Sequence, residues 1–367
     1  MSAGLDNRRE SRYNDPERKH FFGKRVYTMK IITFGEIMLR LQPFGFGRFV
    51  QAREYEATFG GGEANVAVSL ANFGKEASFV TGLPDNDIGK ACLQELHRYG
   101  VSTEFVVQKN GRMGIYYCEK GASQRPSKVI YDRAGSVASL LAPGDIDWKN
   151  VFADAEWFHF TGITPALGDS VAALTLEACR AAKEMGVKIS CDLNYRKKLW
   201  SKEKAGEVMS TLVPYVDLLI ANEADADDVF GIKAAKSDVT KGEIDTEGYR
   251  SVAAQLIDRF GCKLVAITLR ESISASRNLW SGLLYDGKEL YLSKKYDMQI
   301  VDRVGGGDSF GAGLIYGLTE GYEPKDALEF AVAASCLKHS VEGDFNMVTV
   351  GEVKALAGGD GSGRVQR

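Results

Sequence analysis

From Lys30 onward the apolar positions follow two alternating rhythms. Short, nearly continuous apolar runs read as buried strands: KIITFGEIMLRL, ASFVTGL, WFHFTGI, KISCDLN, DLLIAN and KLVAITL. Between them lie stretches of helical period. GGEANVAVSLANFG puts Ala64, Ala67, Val68 and Ala71 on one face. IGKACLQELHRYG puts Ile88, Cys92, Leu96 and Tyr99 in register and stops at Gly100. Ser170–Met185, KEKAGEVMSTLVPY and VAAQLIDRF continue the helical set. Two hairpin-like strands, a glycine turn and two helices, Ser309–Thr319 and Pro324–His339, complete it. Alternating strands and helices predict an α/β protein, a mainly parallel sheet covered by helices on both faces.

Two stretches break the rhythm. Met38–Phe59 and Arg112–Ser136 are strand-like, without helical period, and rich in aromatics and arginine. They predict a small second sheet forming a lid over the C-terminal edge of the main one, where open α/β folds bind ligands. Residues 1–28 are polar, of mixed charge and without the apolar centre of a secretion signal. They are expected to be a flexible extension, with Met29 the expected true start. Residues 29–354 then make one domain, and 355–367 a flexible tail.

Composition narrows the function classes. The net charge of −3 gives no electrostatic case for nucleic acid or a membrane surface, and no apolar run spans a bilayer. Six scattered cysteines without a CxxC pair, and four unclustered histidines, predict reduced thiols in a cytoplasmic protein rather than disulfides or zinc.

The candidate chemistry lies in VDRVGGGDSFGAGL. Glycines let backbone approach a ligand, and the following helix offers unpaired N–H groups and its positive dipole end, a site for an anion. Asp308 could take a proton from an attacking hydroxyl, or could simply cap the helix. The turn is no Walker motif, since no Gly-Lys-Ser/Thr follows. It is no dinucleotide fingerprint either, lying at the wrong end of the chain.

TFGGGEANVAVSLANFG and DRVGGGDSFGAGL together resemble the ribokinase-like, or PfkB, carbohydrate kinases, over roughly Lys30 to Val353. The resemblance implies a three-layer α/β/α domain with a small β-sheet lid. It implies an anion hole at Gly305, Gly306 and Gly307 and a catalytic base at Asp308. Gly306 stands where the family usually has alanine, a change the turn should tolerate. The first glycine run (Gly60, Gly61, Gly62, Glu63 and Asn65) is implied to bind sugar. NEAD replaces the family's Asn-x-x-Glu, so Asn222 is carried over to the nucleotide side. A water-mediated Mg²⁺ role then falls to Glu223 or Asp225, with a solvated acidic helix start as the alternative.

GITPAL, CDLNYRKKLW and YDRAGS look like the 2-keto-3-deoxygluconate kinase subgroup. That acid sugar's carboxylate suits arginine forks. The resemblance places Tyr116 and Arg133 on the lid facing sugar, and Asn194 and Arg196 between sugar and nucleotide. It places Thr268 and Arg270 beside ATP, and Asp344 against substrate. Some members carry arginine where this chain has Cys118, so Arg133 or Arg125 is expected to substitute. The stretch ASCLKHSVEGDFN is read as a helix bordering adenine. The implied reaction is ATP-dependent 6-phosphorylation of the acid sugar. A kinase for fructose, ribose or a nucleoside, and a non-catalytic sugar-binding protein, are the alternatives. Lid strands invite pairing with a second subunit. The need for a monovalent cation stays open.

Overall fold

The computed structural model describes residues 30–222, 224–233 and 246–363; the 1–28 extension lies outside them. In chain order the elements are β1 (Lys30–Phe34), β2 (Met38–Gln42), β3 (Glu56–Gly60), α1 (Gly62–Asn72), β4 (Glu76–Val80), β5 (Gly82–Pro84), α2 (Asp87–Arg98), β6 (Val107–Lys109), β7 (Ile115–Glu119) and β8 (Lys128–Asp132). Then come α3 (Trp148–Val151), β9 (Ala155–Thr161), α4 (Asp169–Glu184), β10 (Lys188–Asp192), α5 (Lys202–Leu212), β11 (Leu218–Asn222), α6 (Asp225–Phe230) and α7 (Thr246–Phe260). The last third holds β12 (Leu264–Ser272), β13 (Arg277–Tyr285), β14 (Leu290–Leu292), β15 (Tyr296–Gln299), α8 (Gly306–Thr319), α9 (Pro324–Lys338) and α10 (Val350–Ala357).

The main sheet has the order β14–β13–β12–β11–β10–β9–β1–β4, with β15 also paired to β13. From β12 to β4 every pairing is parallel; β13 turns back antiparallel and ends that run. Successive residues of a parallel strand face opposite layers, so both must be apolar. Ile31, Leu218 and Ile220 pack with α1, α8 and α9 on one side. Ile32, Leu219 and Ala221 pack with α4, α5 and α7 on the other. This double burial is why these strands read as continuous apolar runs.

The lid is a four-stranded sheet, β3–β2–β7–β8. KIITFGEIMLRL is therefore two strands rather than one: β1 stays in the main sheet, and after Gly35-Glu36-Ile37 the chain enters the lid as β2. There are further departures from the pattern, and in α1 tertiary packing overrides it. Helix α1 is buried from Glu63 to Leu70, not on one face, because it is sandwiched between the sheet and α8. Ile88 of α2 is 48% exposed despite its register. Helix α8 begins at Gly306, three residues before the expected start. Residues 340–346 form no helix, since α9 ends at Lys338. The C-terminal helix runs to Ala357, past the expected boundary at 354.

The six cysteines are free thiols, five of them buried. No helix among the described residues is long and apolar enough to cross a membrane.

Phe310 seats α8 on the sheet: a Cβ built on Gly282 of β13 would lie 3.2 Å from its ring. Phe310→Ala is expected to lower unfolding free energy by about 3–5 kcal/mol in urea denaturation. A loss under about 1 kcal/mol would mean that α8 does not depend on this contact.

Candidate active site

The C-terminal edge of the parallel strands and the inner face of the lid enclose a cleft of about 1500 Å³. Its floor includes Gly60–Glu63, Asn65, Asp192, Asn194, Asn222, Thr268 and the glycine turn, and its roof includes Tyr116, Tyr131 and Arg133.

Each glycine of the turn has its own reason. Gly305 takes φ 82°, in the left-handed region, and a Cβ there would lie 2.0 Å from the Asp344 carbonyl oxygen. A Cβ on Gly306 would lie 2.3 Å from His339 Cε1. Alanine, which the family resemblance leads one to expect, would not fit over that ring. The His339 Nδ1–H donates to the Ser335 carbonyl at 2.7 Å, and burial pulls its pKa down to about 4, so the ring is neutral. Gly307 has open space at its Cβ position and faces the cleft. The Gly306 amide donates to the Arg303 carbonyl at 3.4 Å, so the amides of Gly307 and Asp308 are the first-turn donors left for an anion at this face.

Asp308 is not a cap. Gly305 is the N-cap of α8, without a side-chain cap bond, and Asp308 stands three residues inside. Its carboxylate accepts a hydrogen bond from Asn65 Nδ2 at 2.6 Å. It sits half-buried on the floor, with its pKa pushed up to about 7. Burial is the main cause and the charges of Asp344 and Glu63 add to it, while Asn65 and Arg196 pull the other way. A carboxyl group titrating near neutrality beside an anion site suits a general base.

Behind the turn lies a buried ionic cluster. Arg40, on β2, is 1% exposed. Its Nη1 donates to Asp344 Oδ1 and its Nη2 to Asp302 Oδ2, both at 2.6 Å. Nη2 also meets Gln42 Oε1. The Tyr116 hydroxyl, across from Arg40 in the β2–β7 pairing, donates to Asp344 at 2.6 Å. Asp302 in turn accepts the amides of Val304 and Gly343. Lid and turn are thus joined through one guanidinium.

The other expected residues fall as follows. Gly60 and Gly61 are close-approach positions: a Cβ would lie 2.0 Å from Asp344 Oδ2 in the first case and from the Glu36 carbonyl in the second. Glu63 lines the cleft, but its Oε1 accepts from Thr161 N, Thr161 Oγ1 and Thr164 Oγ1 at 3.0, 2.7 and 2.6 Å. That staples α1 to the end of β9. Arg133 reaches the roof with its guanidinium paired to Glu36. Arg125 lies away from the cleft lining, held by Glu119 and the Phe46 carbonyl. Arg196, Arg270, Asn194, Asn222 and Thr268 all line the cleft, Asn194 with φ 39°. Asp225 does not line it; its two oxygens accept the amides of Tyr195 and Asn222. Glu223 lies outside the described residues.

Sequence reading missed Glu36, Arg40, Asp192, Arg303 and Asp302. Asp192, at the end of β10, has its pKa raised well above the ordinary range by burial and by the charges of Asp225 and Asp308. Its position at a parallel strand's C-terminal end was the available signal. Arg303 lines the cleft close enough to Arg270 to feel its charge.

A glycine turn at a helix start under a lidded parallel sheet, with the Asp308 carboxylate beside it, has the parts that binding and transferring a phosphoryl group require. The profile described as pfkB family carbohydrate kinase matches residues 28–349, and the chain belongs to that family. It is 34% identical over 334 residues to a 2-dehydro-3-deoxygalactonokinase of Haloferax volcanii, covering 91% of this chain and 98% of that one. It is 28% identical over 317 residues to a 2-dehydro-3-deoxygluconokinase of Bacillus subtilis, covering 86% and 91%. The crystal structure of a 2-dehydro-3-deoxygluconokinase from Thermotoga maritima superposes with a TM-score of 0.87 at 46% identity, covering 90% of this chain and 99% of that one.

Asp308→Asn carries a prediction for stability. A carboxyl group whose pKa is raised on folding disfavours the folded state once pH exceeds its unfolded value, increasingly until pH passes the folded one. The asparagine variant should therefore melt higher than wild type, with the gain growing from pH 4 to about 7 and level above. Calorimetry across that range checks it; a gain independent of pH would show that Asp308 is not held neutral by its surroundings.

Proposed function

We propose that the protein transfers the γ-phosphoryl group of ATP to the 6-hydroxyl of 2-dehydro-3-deoxy-D-gluconate, with Asp308 as general base. The observation that carries this is Asp308 itself, a carboxyl group near neutral pKa beside the open backbone of Gly307 and in reach of Asn65. As the 6-oxygen bonds to phosphorus, the bond to the ADP oxygen breaks and the hydroxyl proton passes to Asp308. The first-turn amides of α8 take up the charge on the transferring group. Arg196, exposed and felt by both Asp308 and Asp192, serves the same group. Arg270 and Arg303 line the nucleotide side, with Asn194, Asn222 and Thr268.

The sugar's 6-hydroxyl lies at Asp308 in this reading, so its carboxylate points to the lid. There Glu36 holds Nε and Nη2 of Arg133, which leaves Nη1 for a ligand. The Arg133 guanidinium also lies 5.6 Å from the ring of Tyr131. Gly60–Gly62, Glu63, Tyr116 and Asp344 shape the sugar pocket rather than reading the sugar through free polar groups, since Asp344 and Tyr116 bond each other. Among the described residues no three acidic, histidine or cysteine side chains form a metal cage. Mg²⁺ would enter on the nucleotide, with Asp192, at the end of β10 and lining the cleft, the carboxylate to meet it through water; bound there, it would neutralise phosphate charge. Free buried cysteines and the need for ATP support a cytoplasmic setting. The edge strand β8, with Ile130 and Tyr131 exposed, supports pairing with a second copy.

A second reading, the C4-epimeric galactonate-derived acid, is favoured by the Haloferax relative. ADP release with Mg²⁺–ATP against both acid sugars, fructose, ribose and adenosine separates these. Turnover with one or both acids alone is expected, falling by roughly 10²–10⁴ in Asp308→Asn. Turnover with fructose or ribose instead would overturn the acid-sugar assignment.

A further inference from the structure

Lys338 ends α9 and is fully buried. Its Nζ donates to the Val341 carbonyl at 3.1 Å and makes no other hydrogen bond or ion pair among the described residues. A lysine closing a helix is ordinarily a solvated charge favoured by the helix dipole. That role needs no burial, and burying an ammonium group with one acceptor is costly unless charges nearby compensate. The compensation lies in the turn. The Lys338 Cε is packed behind Gly305, 3.2 Å from where a Cβ would stand. Burial pulls the Lys338 pKa down from the ordinary lysine value; the carboxylates of Asp302, Asp344 and Asp308 hold its charge against that, and Arg40 adds to the opposition.

The charge count of this cluster is informative. Asp302 and Asp344 share a single guanidinium, that of Arg40, which leaves one net negative charge among these ion-paired groups; Arg303, on the cleft side, also feels the charge of Asp302. Such a background would repel a phosphate at the turn's open side. Lys338 brings Arg40, Asp302 and Asp344 to neutrality. Its neighbours on α9 bind the turn as well: Ser335 Oγ donates to the Gly306 carbonyl at 2.6 Å, and the His339 carbonyl accepts from Val301 N at 2.8 Å.

We propose that Lys338 is a built-in cation of the phosphoryl-transfer site: its ammonium group, fixed behind the glycine turn, neutralises the Asp302–Asp344 pair so that the amides of α8 can stabilise the transferring group. It is a positioning residue, since it does not line the cleft. The inference rests on the kinase reading above. Its corollary is that the enzyme needs no dissociable monovalent cation at this place.

The test begins with wild-type turnover on the acid sugars in buffer whose only monovalent cation is tetramethylammonium. Full rate is expected, unchanged by K⁺ or NH₄⁺. Lys338→Met, which keeps the length of the side chain and removes the charge, should lower kcat by roughly 10²-fold, the scale of losing one preorganised group at a transition state. KM for the sugar should stay unchanged. Lys338→Ala, which leaves room for a small cation, should regain rate with NH₄⁺ or methylammonium but not with tetramethylammonium at equal ionic strength. A folded Lys338→Met enzyme with wild-type kcat would overturn the inference. So would a wild-type enzyme that requires K⁺, a result that does not depend on either variant folding. Wild type without turnover on any sugar would overturn the kinase reading and this inference together, whereas an active wild type matched by Lys338→Met overturns this inference alone.

Discussion

The guanidinium of Arg40 leaves water on a lid strand and must find carboxylates there, and the two it finds belong to segments far along the chain. Asp302 precedes the glycine turn and Asp344 follows α9, so one side chain gathers the lid, the turn and the loop that supports the turn. Removing one partner from a buried ionic cluster typically costs 3–5 kcal/mol, because the others are left uncompensated. The arrangement is therefore close to all-or-none. The close approaches around it follow from the same packing: Gly60 lies against the Asp344 carboxylate and Gly305 against the Asp344 carbonyl, leaving neither glycine room for a side chain.

On that frame the carboxyl groups of the cleft are sorted by surroundings. Asp302 and Asp344 have cationic and hydroxyl partners, and Asp225 accepts two backbone amides. Asp308 has one amide donor, Asn65, and no cation bonded to it, so burial and neighbouring charge push its pKa up to about 7; Asp192, which feels its charge, is pushed up as well. The destabilising burial of one carboxylate is the counterpart of the general-base role proposed for it, a local conflict that folds concentrate at functional sites. Asn194, a non-glycine residue at positive φ on the same floor, is another.

The alternation of strands and helices was legible because burial on both faces leaves parallel strands continuously apolar. The lid was legible because its stretches lack helical period. The glycine turn and Asp308 could be read since glycine followed by an acid at a helix start is a local signal. Arg40 was not legible, for a specific reason: on β2 the buried positions are Met38, Arg40 and Gln42, while Leu39 and Arg40's other neighbour Leu41 are only partly buried or turned from that cluster. A rule that puts apolar residues inward does not single out a strand whose inner face meets two carboxylates. Arg133 lines the roof, but its pairing with Glu36 depends on residues about a hundred positions apart and has no local signature. Lys338 looked like an ordinary helix-end lysine, and only its burial behind Gly305 distinguishes it.

The central claim is that lid and glycine turn are one unit through Arg40. Hydrogen exchange followed by mass spectrometry on wild type and Arg40→Met tests it directly. The account predicts that peptides covering β2 and β7 and those covering Gly305–Phe310 lose protection together, while the parallel strands β9 to β11 keep theirs. Faster exchange in the lid alone, with the turn as protected as in wild type, would contradict it.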